Sequence, residues 1–242
     1  MHILGIDIGG SGIKGAVVDT ATGKFVAERY RLETPKRSTP KAMAVTVRDV
    51  ARHFSWKDRI GCGMPGPIKH GRVLTANNLH KLWIGTEAVP LYAKATGCKV
   101  SVMNDADAAA LAEIKFGAGK GRSGVVVVIT LGTGIGSALF IDGVLVPNTE
   151  LGQIELRGKN AELRASARIR EEKDLPWKKW ANGVNEYLCA VENLIWPDLI
   201  IIGGGVSKKA EKFIPYLKTR ASVVPARLRN DAGIIGAALS AL

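Results

Sequence analysis

The sequence predicts an α/β protein built from two lobes. Its 242 residues suffice for two domains of ordinary size, and 46% of them are hydrophobic, which is enough for a buried core. Strand-like and helix-like patterns alternate along the chain. A strand, a glycine-rich turn and a second strand occur twice, at residues 5–12 and 129–136. We therefore expect each lobe to begin with a β-hairpin, with both turns facing a shared cleft.

The first lobe is predicted from its apolar runs. Residues 2–8 alternate and end at a glycine cluster, and a turn at residues 20–23 separates two further runs. Asn104 and Asp105 follow a buried strand and suit the N-cap of an Ala-rich helix. We expect strands at residues 2–8, 15–19, 24–31, 59–64 and 99–103, and helices at 40–54 and up to 116.

The second lobe contains the clearest helical pattern. Apolar residues recur there at steps of three and four, as on the buried face of a long helix: Trp180, Val184, Tyr187, Leu188, Val191, Leu194 and Ile195. We expect strands at 125–131, 137–141 and 199–202, and helices at 207–220 and from 231. The predicted N-terminal lobe is residues 1–105, with the final helix 231–242 packing back on it, and the C-terminal lobe is 106–230.

Cysteine usage and hydropathy favour the reducing cytoplasm. Cys62, Cys98 and Cys189 are widely spaced and form no metal-binding motif. No apolar run is long enough to span a bilayer, and residues 1–10 lack the pattern of a signal peptide. We also expect no helix-turn-helix ahead of the first strand. We expect a cytoplasmic protein with no membrane partner.

Charge is the unusual global property. The 34 basic and 22 acidic side chains give a net charge of +12, and residues 157–229 carry 15 basic against 8 acidic ones. A cationic surface attracts polyanions, although a generally basic, solvated surface explains the same numbers. Nucleic acid is the weaker candidate partner, because the aromatic residues of this stretch lie at apolar helical positions and not between exposed cations.

Two familiar nucleotide motifs do not fit the glycine-rich turns. Gly10, Gly12 and Gly15 satisfy the dinucleotide pattern G-x-G-x-x-G, but the residues that follow are strand-like, whereas that motif needs a helix. Residues 116–123 resemble a P-loop, yet Lys120 is followed by Gly121 in place of Ser or Thr.

A phosphate site formed by two hairpin turns fits better, because glycines let backbone N–H groups converge on an anion. We expect phosphate contacts from both turns: Gly9, Gly10, Ser11, Gly12, Gly132, Thr133 and Gly134. Asp7, at the end of the first strand, could hold Mg²⁺ directly or through water, and Lys14 could neutralise phosphate charge. The alternative is that these glycines only form tight turns.

Carboxylates and amides in other loops suit a hydroxylated substrate. Asp105 is the candidate general base for phosphoryl transfer to a hydroxyl, with helix N-capping as its alternative role. Glu150 and Glu162 could accept hydrogen bonds from sugar hydroxyls, and Asn78 could add an amide. For Glu155, a solvated surface position is the alternative.

Five motifs in order along the chain resemble the ROK sugar kinases, of the actin/hexokinase/Hsp70 superfamily with a ribonuclease H-like fold. They lie at residues 4–15, 63–67, 104–107, 131–136 and 202–206. The resemblance implies a two-lobed kinase with Asp105 as general base. It places Asn104, Glu150 and Glu162 around the sugar and Gly204 at the nucleotide end. It also favours a homodimer.

One departure from the family pattern is informative. Most members carry a His after the glutamate that corresponds to Glu150 and then a cysteine-rich zinc motif, whereas residues 150–160 here contain neither. We therefore expect no structural zinc. This departure, with residues 177–180, 184–188 and 196–208, is similar to the polyphosphate glucokinases.

That similarity implies Mg²⁺-dependent transfer from inorganic polyphosphate, and also from ATP, to the 6-hydroxyl of glucose. Lys208 and Lys209 could then guide the polyanion, or only add solubility. An ATP-only hexokinase of broader sugar specificity is the alternative. Two further alternatives are a non-catalytic sugar-sensing regulator and a nucleic-acid-binding protein.

Overall fold

The structure, a computed structural model, describes residues 1–76 and 79–242. It separates into two units, of which unit 1 comprises Met1–Ala112 and Asp231–Leu242 and unit 2 comprises Glu113–Asn230. The division lies inside a helix, between Ala112 and Glu113, while the sequence placed it between residues 105 and 106.

The strands are β1 (His2–Ile8), β2 (Ile13–Asp19), β3 (Lys24–Phe25), β4 (Tyr30–Leu32), β5 (Ile60–Met64), β6 (Ile68–Lys69), β7 (Arg72–Val73), β8 (Val100–Asn104), β9 (Val125–Leu131), β10 (Ile135–Ile141), β11 (Val144–Val146), β12 (Glu155–Leu156), β13 (Lys159–Asn160), β14 (Leu199–Gly203) and β15 (Ser222–Pro225). The α-helices are α1 (Pro40–His53), α2 (Ala88–Thr96), α3 (Asp105–Phe116), α4 (Glu162–Ala165), α5 (Ala167–Glu172), α6 (Trp177–Ile195) and α7 (Ala232–Leu239). Short 3₁₀ helices cover Lys81–Trp83, Leu151–Gln153, Gly205–Lys212, Ile214–Tyr216 and Arg229–Asp231.

The main sheet of unit 1 has the strand order β3-β2-β1-β5-β8, with β4 also paired to β2. β1 and β2 form an antiparallel hairpin, whereas β1, β5 and β8 are parallel. In this register Asp7 lies beside Gly63, and Met64 lies beside Asn104. The carboxyl ends of the three parallel strands therefore bring their following residues to one edge of the sheet.

The main sheet of unit 2 has the order β11-β10-β9-β14-β15. β9 and β10 form an antiparallel hairpin, and β9, β14 and β15 are parallel. Both sheets thus contain an antiparallel three-strand meander followed by two parallel strands. The internal repeat that the two glycine turns predicted extends to the whole order of each sheet.

Each unit has its own hydrophobic core. In unit 1, buried side chains of β1 and β5 pack with α1 and α2, and Trp83 and Tyr92 are the largest fully buried residues there. Buried Cys62 lies in the middle of β5, where burial raises the pKa of its thiol. In unit 2, the predicted apolar face of α6 packs on β9 and β14. Among the described residues, no helix is long and apolar enough to cross a membrane.

Two predicted elements were wrong. The strand expected at residues 24–31 is broken into β3 and β4. The helix expected at 207–220 is replaced by two 3₁₀ segments, with non-helical angles at Lys209 (φ −119°, ψ 30°). Pro215 explains part of this, because it has no N–H to continue an α-helix. α2 was not predicted, nor were the short helices α4 and α5.

Candidate active site

The first glycine turn joins β1 to β2 and is held by contacts around it. The Gly9 N–H donates to the Gly12 carbonyl at 3.0 Å. Thr34 Oγ1 donates to the Gly9 carbonyl at 2.6 Å, and the Arg31 guanidinium donates to the Ser11 carbonyl at 3.0 Å. The N–H groups of Gly10, Ser11 and Gly12 donate no hydrogen bond to any residue that the structure describes. This turn therefore presents consecutive backbone donors, as an anion site requires.

Arg31 and Thr34 were not among the site residues predicted from the sequence. Arg31 reaches the turn because β4 pairs with β2, which places it beside Lys14 across the sheet. That pairing joins segments separated by a loop, so no local pattern indicated it.

Asp7 lies at the base of this turn. The Lys14 Nζ is 3.4 Å from Asp7 Oδ2, across the β1–β2 ladder, and both side chains are partly buried. A Cβ built on Gly233, near the start of α7, would lie 3.1 Å from the Asp7 carboxyl carbon. Among the described residues, no group of three or more His, Cys, Asp or Glu could hold a metal ion alone. One carboxylate nevertheless fits Mg²⁺, which proteins hold through one or two carboxylates together with substrate phosphates and water.

Asn104 and Asp105 lie at the junction of β8 and α3. Asn104 is buried, and its Oδ1 accepts from the N–H groups of Ala106 (2.7 Å) and Asp107 (3.1 Å). Asn104 therefore provides the N-cap that was the alternative role of Asp105. Asp105 begins α3, is partly exposed, and has its Cα 3.6 Å from the position of a Cβ on Gly63. Asp7, near the end of β1, and Asp105, directly after β8, thus lie at the same edge of the sheet, with β5 between their strands.

The second glycine turn joins β9 to β10. The Gly132 N–H donates to the Gly134 carbonyl at 3.0 Å, and the Arg168 N–H donates to the Gly132 carbonyl at 3.1 Å. The N–H groups of Thr133 and Gly134 donate to no residue in the described part of the chain. Glu162, the first residue of α4, lies against this turn, because a Cβ on Gly134 would be 2.5 Å from Glu162 Oε2. Across the described ranges, the Glu162 carboxylate makes no hydrogen bond or ion pair.

The remaining predicted residues are placed as follows. Gly204 (φ 82°) follows β14, and a Cβ there would overlap the carbonyl of Leu131, so this glycine is required beside the end of β9. Glu150 is exposed and directly precedes the 3₁₀ helix Leu151–Gln153. Glu155 is exposed in β12. Asn78 lies outside the described residues.

Each unit therefore gathers part of the predicted site. Unit 1 brings Asp7, the first turn, Lys14, Asn104 and Asp105 to one sheet edge. Unit 2 brings the second turn together with Glu162 and Gly204. Backbone donors suited to phosphate and carboxylates suited to hydroxyls are present in both, which is the chemistry that transfer of a phosphoryl group to an alcohol needs.

Known proteins resemble this chain along much or all of its length. The model of the ROK family matches residues 3–150. A polyphosphate glucokinase of Mycobacterium tuberculosis (strain CDC 1551 / Oshkosh) is 50% identical over 242 residues, which covers 100% of this chain and 91% of that protein.

Solved structures show the same likeness. The crystal structure of an inorganic polyphosphate/ATP-glucomannokinase from Arthrobacter sp. strain KM matches with a TM-score of 0.94 and 47% identity, covering 98% of this chain and 97% of the other. A ROK family glucokinase from Streptomyces griseus, in complex with glucose and AMPPNP, matches with a TM-score of 0.84 over 100% and 99% of the two chains. Its 24% identity makes that likeness one of fold alone.

The matched structures confirm the predicted α/β fold of the actin/hexokinase type. The family model covers more than half of the chain, and the mycobacterial relative is half identical over all of it. The chain belongs to the ROK family.

Proposed function

We propose that this chain transfers a phosphoryl group from inorganic polyphosphate, and also from ATP, to the 6-hydroxyl of glucose, giving glucose 6-phosphate. The observation that carries the proposal is the identity of 50%, along the whole chain, to a mycobacterial protein named polyphosphate glucokinase. The local geometry supports it, because both hairpin turns present backbone N–H donors and both units contribute carboxylates.

Asp105 is the proposed general base that accepts the proton of the attacking hydroxyl. The Oδ1 of Asn104 accepts the N-cap hydrogen bonds of α3, so helix capping does not require the Asp105 carboxylate. With its Oδ1 accepting these bonds, Asn104 would offer its Nδ2 group to a sugar hydroxyl. Glu162 and Glu150 would accept hydrogen bonds from other hydroxyls, and Asn78 would contribute an amide.

Donor phosphates would bind to the backbone N–H groups of Gly10, Ser11, Gly12, Thr133 and Gly134, with Gly204 at the nucleotide end. The predicted contacts of Gly9 and Gly132 are corrected, because their N–H groups donate to Gly12 and Gly134 within the turns. Lys14 would neutralise part of the donor's charge, although it lies 3.4 Å from Asp7 in the structure described here. Asp7 would hold Mg²⁺, directly or through water, and the ion would offset the negative charge of the phosphates. A cytoplasmic location, a homodimer and the lack of structural zinc stay predictions.

Purified protein incubated with glucose and Mg²⁺, with long-chain polyphosphate or ATP as donor, tests the proposal. We expect glucose 6-phosphate from both donors. Product from ATP alone, with several hexoses accepted, would identify an ATP-only hexokinase instead. If neither donor gives product while glucose still binds, a sugar-sensing regulator becomes the better explanation.

A further inference from the structure

Three cations surround one tryptophan on the surface of unit 2. The Arg170 guanidinium carbon lies 4.1 Å from the centroid of the Trp177 ring, and the Nζ atoms of Lys209 and Lys212 each lie 5.9 Å from it. These distances are within the range of cation–π interactions. We name Arg170, Trp177, Lys209 and Lys212 the Trp177 cluster.

The fold holds the indole of this cluster in place. Trp177 begins α6, is half-buried, and stacks on Phe213 with ring centroids 6.2 Å apart and planes 17° from parallel. Trp180 contacts it edge-on, with centroids 5.8 Å apart. Phe213 and Trp180 belong to the core of unit 2, so the Trp177 ring is held in place and the three cations are arranged around it.

The three cations of the cluster are not paired with carboxylates in the part of the chain that the structure describes. None of Arg170, Lys209 and Lys212 forms an ion pair with a residue in the described ranges. The nearby Glu172 pairs with Arg168 instead. The Nε of Arg170 is buried and makes no hydrogen bond to the described residues. Like charges held close together repel, so a surface built in this way is suited to an anion with several negative groups.

The cluster is also linked to the phosphate-binding part of unit 2. Lys209 and Lys212 lie on the 3₁₀ helix Gly205–Lys212, which directly follows Gly204. Gly204 in turn touches Leu131, where β9 runs into the second glycine turn. At about 2 Å per residue, a straight 3₁₀ segment would place Lys209 about 10 Å and Lys212 about 16 Å from Gly204, and the kink at Lys209 makes these upper limits.

We propose that the Trp177 cluster binds the distal part of an inorganic polyphosphate chain while the phosphates near its reacting end bind at the glycine turns. The inference rests on the proposed function and extends it, since it names the surface that distinguishes a long donor from a short one. We expect a donor as short as a triphosphate to make fewer contacts with the cluster than a long chain makes. Lys208 is exposed, makes no ion pair in the described part of the chain, and lies in sequence between Gly204 and the two lysines of the cluster.

The surroundings of Trp177 favour polyphosphate over nucleic acid. Proteins that bind single strands use aromatic rings as platforms for the bases. Here the indole already contacts Phe213, Trp180 and three cations, so it is not available as such a platform. The cations, by contrast, keep N–H groups that can donate to phosphate oxygens.

The test compares two triple variants of equal charge. One carries Arg170→Gln, Lys209→Gln and Lys212→Gln. The control carries Lys115→Gln, Lys120→Gln and Arg122→Gln, which removes three exposed cations elsewhere in unit 2. Glucose 6-phosphate formation is measured with long-chain polyphosphate, tripolyphosphate and ATP. Binding of long-chain polyphosphate without glucose is measured by equilibrium dialysis at several salt concentrations.

In the cluster variant we expect the KM and Kd for long-chain polyphosphate to rise roughly 10- to 100-fold, because the ionic contacts of two exposed lysines and one half-buried arginine are lost. The salt dependence of binding should also weaken. The KM values for tripolyphosphate and ATP should stay within about twofold, and the control should bind like the wild type.

Three results would overturn the proposal: unchanged binding of long-chain polyphosphate by the cluster variant, an equal loss in the control, or single-stranded RNA that competes with equal affinity. Equilibrium dialysis tests polyphosphate binding by the Trp177 cluster even if no donor gives product. Failure of the proposed function and failure of this inference are therefore distinguishable.

Discussion

The two sheets share one strand order but are covered in different ways. In unit 1, α7 approaches β1 and β5 so closely that a Cβ on Gly5 or Gly61 would overlap a carbonyl of α7, that of Ile234 or Ala237. In unit 2, α6 packs on its sheet through large side chains, among them Trp180, Tyr187 and Leu188. The hairpin and the parallel crossovers determine the strand order in each sheet. The size of the side chains between helix and sheet determines how closely the helix packs on the sheet.

This difference in helix packing affects which side chains lie next to each glycine turn. The close approach of α7 places Gly233 beside Asp7, next to the first turn. In unit 2 the second turn meets a carboxylate, that of Glu162, at the start of α4. Two turns of similar design therefore have different chemical surroundings, a lysine-paired aspartate in one unit and an unpaired glutamate, among the described residues, in the other.

The largest expected effect separates the roles of the two units. Asp105→Asn should lower kcat by roughly 10²–10⁴, as expected for loss of a positioned base, while the protein still folds. Glu162→Gln should instead raise the KM for glucose by roughly 10- to 100-fold, through a weaker hydrogen bond to the sugar. Steady-state kinetics with glucose as the varied substrate distinguish these outcomes. A near-normal kcat for Asp105→Asn would show that the base lies elsewhere.

An intermediate effect tests the close approach of α7. Gly61→Ala should lower the free energy of unfolding by about 1–3 kcal/mol, because the new methyl group overlaps the Ala237 carbonyl. Gly10→Ala is the matched control, since a Cβ at Gly10 meets nothing within 4 Å, and it should change stability by less than about 0.5 kcal/mol. Urea unfolding followed by circular dichroism measures both. Equal stability of the two variants would contradict the packing described for α7.

The smallest expected effect concerns the second turn. Gly134→Ala should displace the flexible Glu162 carboxylate, which is 2.5 Å from the new Cβ, and raise the KM for glucose by roughly tenfold. Stability should change little, because only the end of a flexible side chain has to move. Gly132→Ala, whose Cβ meets nothing within 4 Å, should leave the KM for glucose unchanged. If both variants bind glucose normally, Glu162 does not contact the sugar.

Much of the fold followed from local patterns. Strand β1, the apolar face of α6 and the two glycine turns were predicted correctly. Each depends on residues that are close in the chain, so its local sequence pattern is enough to indicate it. Predictions failed where local patterns conflict with chain geometry. The apolar residues of 207–220 suggested a helix, but Pro215 and the kink at Lys209 yield 3₁₀ turns.

The sequence by itself determined which groups this protein carries: glycine turns after apolar strands, carboxylates at strand ends and a surplus of cations in residues 157–229. Only the tertiary structure decided which of them meet. The contact of Arg31 with the first turn, of Glu162 with Gly134, and of Lys209 and Lys212 with Trp177 joins segments that are separated by 20 or more residues in the chain. Strand register and core packing create these contacts, and neither is visible in the spacing of neighbouring residues.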